Sequence, residues 1–247
     1  MRVITWNLEE YDGSESSLWQ LSVPYLFVIG GMEVLLLQGA LLPGSESSTG
    51  EVSIVSDDSD NTPVWPPELG PPPGTWSYGL LLPQDGIPGS LPLHILWWQT
   101  AGDPAPKCQA VVWSHDTIVR NLLFVQASQG GWPSPGGVAG IGIGAAFGSR
   151  QCNVFTLSTS GTSSGVEQFV LQAALLGPDW IVGGGFGCSP SLLSARLAER
   201  ACPNAGTVGK ASSGMAGDYI LNAHGPLEGV LLPDFTAGNH VAIMYDE

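Results

Sequence analysis

Few residues in this chain have, by type and spacing alone, what a reaction needs. Its four cysteines, Cys108, Cys152, Cys188 and Cys202, are widely separated, with no C-x-x-C pair and no Cys/His ligand cluster. That usage predicts four reduced, mostly buried thiols, with a disulfide open only to an exported form. Of the histidines, His115 directly precedes Asp116 after the run AVVWS, which makes either an ionisable pair near a cleft or a plain turn. His94 opens a strand-like run and His224 stands before Gly225-Pro226, and neither has ligand spacing. Ser158 and Ser189 lie in no G-x-S-x-G setting, so no nucleophile elbow is expected. The stretch GGVAGIGIGAA at 136–146 has glycines like those of a dinucleotide fingerprint but lacks the strand–turn–helix context, and it reads as a strand.

Any chemistry must therefore come from residues that the fold brings together. Residues 2–8 (RVITWNL) alternate and are β-rich, and 34–38 (VLLLQ) form a continuous apolar run of strand length. Further strands are expected at 76–82, 93–99, 109–114, 118–126, 138–144, 152–158, 180–183, 218–223 and 240–245. Helical spacing marks 166–176, ended by Pro178, and 191–200, entered through Ser189-Pro190. A short helix over 18–28 is expected to break at Pro24. Residues 43–75 are rich in Ser, Gly, Asp and Pro and read as one long surface loop, either a lid or an insertion without fixed order. No repeat or boundary divides the chain, so 1–247 is expected to be one domain. Many strands with a few separated helices imply two sheets face to face with helices outside.

Composition narrows the partners. Hydrophobic residues make up 43% of 247, enough for a substantial core, while Lys and Arg total 7 against 22 acids, a formal charge of −15. Nucleic-acid affinity rests on cations that displace phosphate counterions, so no nucleic-acid partner is expected. The start MRVITWNLEE lacks the pattern of a secretory signal, and no apolar run is long enough to span a bilayer, which leads to an expectation of a cytoplasmic protein without membrane contact.

With the strands placed, a resemblance emerges. TWNL at 5–8 resembles the opening motif of the endonuclease/exonuclease/phosphatase superfamily, and LLLQG at 35–39 stands where that group has a strand ending in Gln-Glu. IVGGGFGCSP at 181–190 occupies the place of its Gly-Asp-Phe-Asn-x-x-Pro motif. GDY at 217–219 resembles its Asp-Tyr element, and GNHVAI at 238–243 its terminal Ser-Asp-His. Between them, QGGWP at 129–133, GIGIG at 140–144 and VFT at 154–156 are similar to the catalytic subunit of cytolethal distending toxins. The resemblance implies a DNase I-like α/β fold, a four-layer sandwich of two mixed β-sheets with helices on the outer faces.

It also implies a site stripped of most nuclease groups. The metal-binding Glu is replaced by Gly39, and Ser158 stands where the first catalytic His is due. Gly185 and Gly187 replace the Asp and Asn of the Gly-Asp-Phe-Asn motif, Asn239 replaces the Asp before the last His, and Ser128, Trp132 and Gly142 replace phosphate-gripping arginines. A hard cation wants carboxylate oxygens, so no metal and no other cofactor is expected. What remains is Asn7 together with Asp218 and His240, the matches to the group's Asp-His dyad. An imidazole oriented by a carboxylate has a fixed tautomer and can serve as a general base, while the same pair buried could simply hold two strands together. Replacing charged groups by Gly, Ser and Trp would make the cleft wider and more apolar, lined by Trp6, Trp132 and Phe186, with Trp65 or Trp76 from the long loop. Three functions follow as expectations. One is a metal-free proton-transfer enzyme on an uncharged small organic molecule, using His240, Asp218 and Asn7. The second is a non-catalytic module that binds a protein partner. The third is a metal nuclease fed by Glu51, Asp57, Asp58 and Asp60 of the long loop.

Overall fold

The computed structural model describes residues 1–9, 11, 13–14, 17–40, 54–55, 63–64, 72, 74–81, 92–100, 108–127, 138–159, 162–202, 217–237 and 240–246. Among these residues, fifteen strands form two sheets. Sheet A contains β1 (Arg2–Asn7), β2 (Val34–Gln38), β3 (Ile54–Val55), β5 (Gly74–Leu81), β6 (Leu93–Thr100), β7 (Cys108–Ser114), β14 (Gly229–Ala237) and β15 (His240–Asp246), in the spatial order β14-β15-β1-β2-β7-β6-β5-β3. Sheet B contains β4 (Pro63–Val64), β8 (Ile118–Gln126), β9 (Ala139–Phe147), β10 (Arg150–Ser158), β11 (Trp180–Gly185), β12 (Ala201–Cys202) and β13 (Asp218–Asn222), in the order β12-β13-β11-β10-β9-β8-β4. Both sheets are mixed: β1 and β2 run parallel, as do β10 and β11, while most other neighbours are antiparallel.

Alternation along the strands sorts the apolar residues into three layers of core. Val3, Val34, Leu36, Leu96, Trp98, Val111, Phe124, Ile141, Ile143, Val154 and Ile220 fill the space between the sheets. On the outer face of sheet A, Ile4, Trp6, Leu35 and Leu37 pack against Leu18, Trp19, Val23 and Leu26 of α1 (Val23–Gly30) and the π turn leading into it. On the outer face of sheet B, Val125, Phe155, Leu157 and Val182 pack against Val166, Phe169, Val170 and Ala173 of α2 (Ser163–Leu175). Helix, sheet, sheet, helix is the four-layer α/β sandwich expected of the sequence.

Several elements depart from expectation. Pro24 does not break the first helix. Helical backbone runs unbroken from Leu18 to Gly30, and the turn before Pro24 is wound as a π turn, with the Val23 N–H on the Leu18 carbonyl, which accommodates the proline's missing donor and its ring. The helix expected over 191–200 is only α3 (Ala195–Ala198), because Leu193 and Ser194 are extended after a 3-10 turn at Pro190–Leu192. The 43–75 segment is not all loop: β3 pairs with β5, β4 pairs with β8, and β5 itself begins at Gly74. β14 had no expected counterpart, since Pro233 and Asp234 interrupt its alternation. Its register with β15 shifts between Leu232 and Thr236. All four cysteines are buried free thiols, and burial pushes the Cys108 thiol up to about 11.

Candidate functional site

At one end of the sandwich the inter-sheet layer turns from apolar to polar. In sheet A, Asn7 partners Gln38, and Gln38 partners Gln109 on the next strand. In sheet B, Asp218 partners Gly185, and Gly185 partners Ser158. Directly opposed residues share a face, so each sheet ends in a row of polar or small residues facing the other. Hydrogen bonds cross between them. Asn7 Nδ2 donates to Asp218 Oδ1 at 3.3 Å, Gln38 Nε2 to Thr156 Oγ1 at 2.9 Å, and Gln109 Nε2 to the Ala139 carbonyl at 3.0 Å.

The two matched members of the dyad meet. His240 is the first residue of β15 and Asp218 the first of β13, and a hydrogen bond joins His240 Nδ1 to Asp218 Oδ2. The pair thus links sheet A to sheet B. Asp218 is the more buried partner, with its second oxygen held by Asn7. Asn7 in turn accepts the Glu9 N–H on its own Oδ1 at 3.1 Å, and Glu9 Oε1 accepts the Ser158 hydroxyl at 3.3 Å. A continuous chain therefore runs Ser158–Glu9–Asn7–Asp218–His240. The sequence reading overlooked Glu9. The available signal was its place two residues beyond Asn7 in TWNLEE.

The glycines of the site are fixed by packing. Gly39 has φ +73°, and a Cβ there would lie 2.8 Å from the Glu9 nitrogen and 3.1 Å from the Leu8 carbonyl carbon. A Cβ on Gly185 would lie 2.9 Å from Asn7 Nδ2. Gly187 has φ +64°, in the turn that follows β11.

Other candidates fall elsewhere. Trp6 does not line the cleft. As the strand neighbour of Asn7 it must face the other way, and it is buried on the outer face of sheet A between Tyr11 and Phe235, each 5.8 Å away. Phe186 is likewise core, stacked on Tyr219 at 4.2 Å beneath the outer layer of sheet B. Gly142 cannot stand for a phosphate-gripping arginine, because its missing side chain would point at Phe155 and the Val154 carbonyl, 2.5 and 2.4 Å from a Cβ. Trp76 packs on Phe124 at 5.9 Å, on the opposite side of sheet A from β15. Ser128, Trp132, Asn239, Trp65, Glu51, Asp57, Asp58 and Asp60 lie outside the described residues.

The remaining histidines sit at the other end. His115 and Asp116 follow β7 beside the start of β2, with His115 Nδ1 3.3 Å from His94 Nε2, so they are not near the dyad. His224 bonds to Asp179, just before β11. That bond, aided by the charge of Arg150 at 3.6 Å, holds the Asp179 carboxyl below its usual range. A cavity of about 350 Å³ lined by Phe27, Met32, Glu33, Leu93 and Asp116 also lies at this far end.

Among the described residues, the divalent metal that the resemblance implies has no fitting donor set. Among the described residues no group of three or more His, Cys, Asp or Glu is placed to hold an ion, and Gly39 offers no oxygen where the carboxylate is due.

No protein-family model matches the chain, and no curated protein sequence does either. Solved structures do. An endonuclease/exonuclease/phosphatase family protein from Leptotrichia buccalis C-1013-b superposes with a TM-score of 0.58 at 9% identity, covering 100% of this chain and 98% of that one. The human nocturnin catalytic domain with bound sulfate gives 0.54 at 14% identity, covering 100% and 93%. The 3′ phosphatase NExo from Neisseria, bound to a product DNA hairpin, gives 0.53 at 11% identity, covering 100% and 98%. Two mixed sheets packed face to face, helices outside them and matches spanning both chains end to end give this protein the DNase I-like α/β sandwich fold of endonuclease/exonuclease/phosphatase proteins.

Proposed function

We propose that the protein is a DNase I-like scaffold without phosphodiesterase activity, closest in its motifs to the cytolethal distending toxin subunit, that performs metal-independent proton transfer on an uncharged small organic molecule. The observation that carries this reading is the Asn7–Asp218–His240 chain, intact at a strand-end site where Gly39 and Gly185 replace carboxylates. Asp218 holds Nδ1, so Nε2 is the atom that takes a proton from a C–H or O–H of the substrate. The imidazolium formed is stabilised by Asp218 and returns the proton to another atom of the same molecule, which gives isomerisation or cyclisation, or to a departing hydroxyl, which gives dehydration. Ser158 and Asn7 supply hydrogen bonds for orientation.

Proton abstraction can be read without knowing the product. A panel of neutral metabolites incubated with the protein in D₂O should contain at least one that gains deuterium, followed by mass spectrometry. His240→Ala and Asp218→Asn should each slow that exchange by about 10²-fold or more. Exchange that survives both substitutions, or a wild-type protein that nicks plasmid with Mg²⁺ or Mn²⁺, defeats the proposal.

A second reading, a protein-binding module, is favoured by one feature. Leu21, Tyr25 and Val28 lie at helical spacing across the π turn and α1 and are 58, 48 and 40% exposed, an apolar stripe of the kind that partners cover. Pull-down of a partner that Tyr25→Glu releases, with no deuterium exchange in any metabolite, would decide for it.

A further inference from the structure

Gln109 and Gln126 stand at the polar end of the inter-sheet layer, several strands from His240. They are 1 and 4% exposed, and among the described residues the Oε1 atom of each has no hydrogen-bond partner. Buried amide oxygens almost always find a donor, and an unmatched one weakens the fold. Their orientation is not arbitrary for Gln109: its Nε2 is committed to the Ala139 carbonyl, so Oε1 must face away from that bond. Gln126 is the register partner of the same Ala139, which brings both amides to one spot from opposite sheets. The spot has an aromatic side. Trp98 is directly opposite Gln109, Phe124 precedes Gln126 by two residues on the same face, and the two rings meet edge-on at 6.0 Å.

The location ties this spot to the dyad. Asn7, Gln38 and Gln109 are consecutive register partners in sheet A, so Gln109 lies two strand spacings, about 10 Å, from Asn7. In sheet B, Ser158 follows Leu157, the partner of Gly140, and the next residue along β9 is Ala139, the partner of Gln126. One row of polar positions thus runs from Asp218–His240 to Gln109–Gln126.

We propose that Gln109 and Gln126 form a second subsite in the same polar row, one that takes a neutral ligand group bearing two N–H or O–H donors, a carboxamide or a vicinal diol, beside Trp98. The proposal rests on the small-molecule reading of the site and adds a substrate class: a molecule with its acidic proton at one end and paired donors about 14 Å away, three strand spacings from β15 to β7.

The test uses the purified full chain without any turnover assay, so it stands or falls apart from the chemistry of His240. Gln126→Met keeps the side-chain length and removes the amide. If the oxygen is unmatched until a ligand arrives, the variant melts higher than wild type, by about 2–4 °C. In parallel, acetamide and ethylene glycol are titrated as probes while the side-chain NH₂ signals of Gln109 and Gln126 are followed by NMR. At least one probe should shift these signals in wild type and bind about tenfold more weakly to the variant. A response to acetamide alone assigns the group as an amide, and one to the glycol alone assigns a diol. A variant that melts lower than wild type means the oxygen is already satisfied by structural water and overturns the proposal, as does a wild type that responds to neither probe.

Discussion

Trp6 and Asn7 are consecutive residues of β1 and serve opposite faces of one sheet, Trp6 in the outer core and Asn7 at the site. Strand alternation, read literally, would have ruled out the tryptophan as a cleft residue from the sequence alone. The meeting of Asp218 with His240 was legible only through motif order, because nothing local in GDY or GNHVAI says that the two loops converge. The geometry at Gly39 was invisible, since a backbone angle leaves no mark on a single sequence. It also has a measurable effect. Gly39→Glu, which restores the carboxylate due at that place, puts a side chain at φ +73° and a Cβ against the Glu9 backbone. The variant should lose about 2 kcal/mol or more of stability in urea unfolding and gain no Mg²⁺ binding by calorimetry. At the other end, Asp179 has its carboxyl held low by His224 and Arg150. A depressed carboxyl contributes stability that is full above the ordinary aspartate range and is lost as pH falls through the lowered folded value. Asp179→Asn should therefore melt below wild type at pH 6–7, and the two curves should converge in strong acid.

At the scale of elements, the strands were mostly legible because an apolar run of five to nine residues between turn residues has few other uses. The exceptions have physical reasons. β14 lost its alternation to a register shift at Pro233–Asp234, and α1 kept its helix despite Pro24 because the turn before it is wound as a π turn. β9 shows what a glycine-alternating strand is for. Ile141 and Ile143 fill the layer between the sheets, while Gly140 and Gly142 leave bare backbone on the outer face. There the rings of Phe155 and Phe169 settle edge to face at 6.1 Å beneath α2. Gly142→Val should cost about 1–3 kcal/mol by overpacking, read as a lower urea midpoint, whereas an exposed β8 position such as Ile118→Val should change little.

At the scale of the whole molecule, the two sheets share one apolar layer and then one polar row, so the site is the place where that layer gives way to hydrogen bonds. The sandwich could be expected from the count and spacing of strands, but the polar row could not. Gln38 and Gln126 close apolar runs and Gln109 opens one, in three separate parts of the sequence, and only the strand order β1-β2-β7 and the pairing of β8 with β9 bring them to one level. The formal charge of −15 belongs to this scale too, and on it rests the expectation that no polyanion binds.

The first and last strands lie side by side, Arg2 opposite Asp246 and Thr5 opposite Ile243, and each carries one member of the site, Asn7 and His240. Pairings between distant parts of a chain are the slowest to form, because the loop they close is long. During synthesis, β1 can pair with β2 early, but it gains its second neighbour only when β15 emerges from the ribosome. The Asn7–Asp218–His240 chain is thus among the last things the protein acquires, and a chain interrupted anywhere before His240 lacks it.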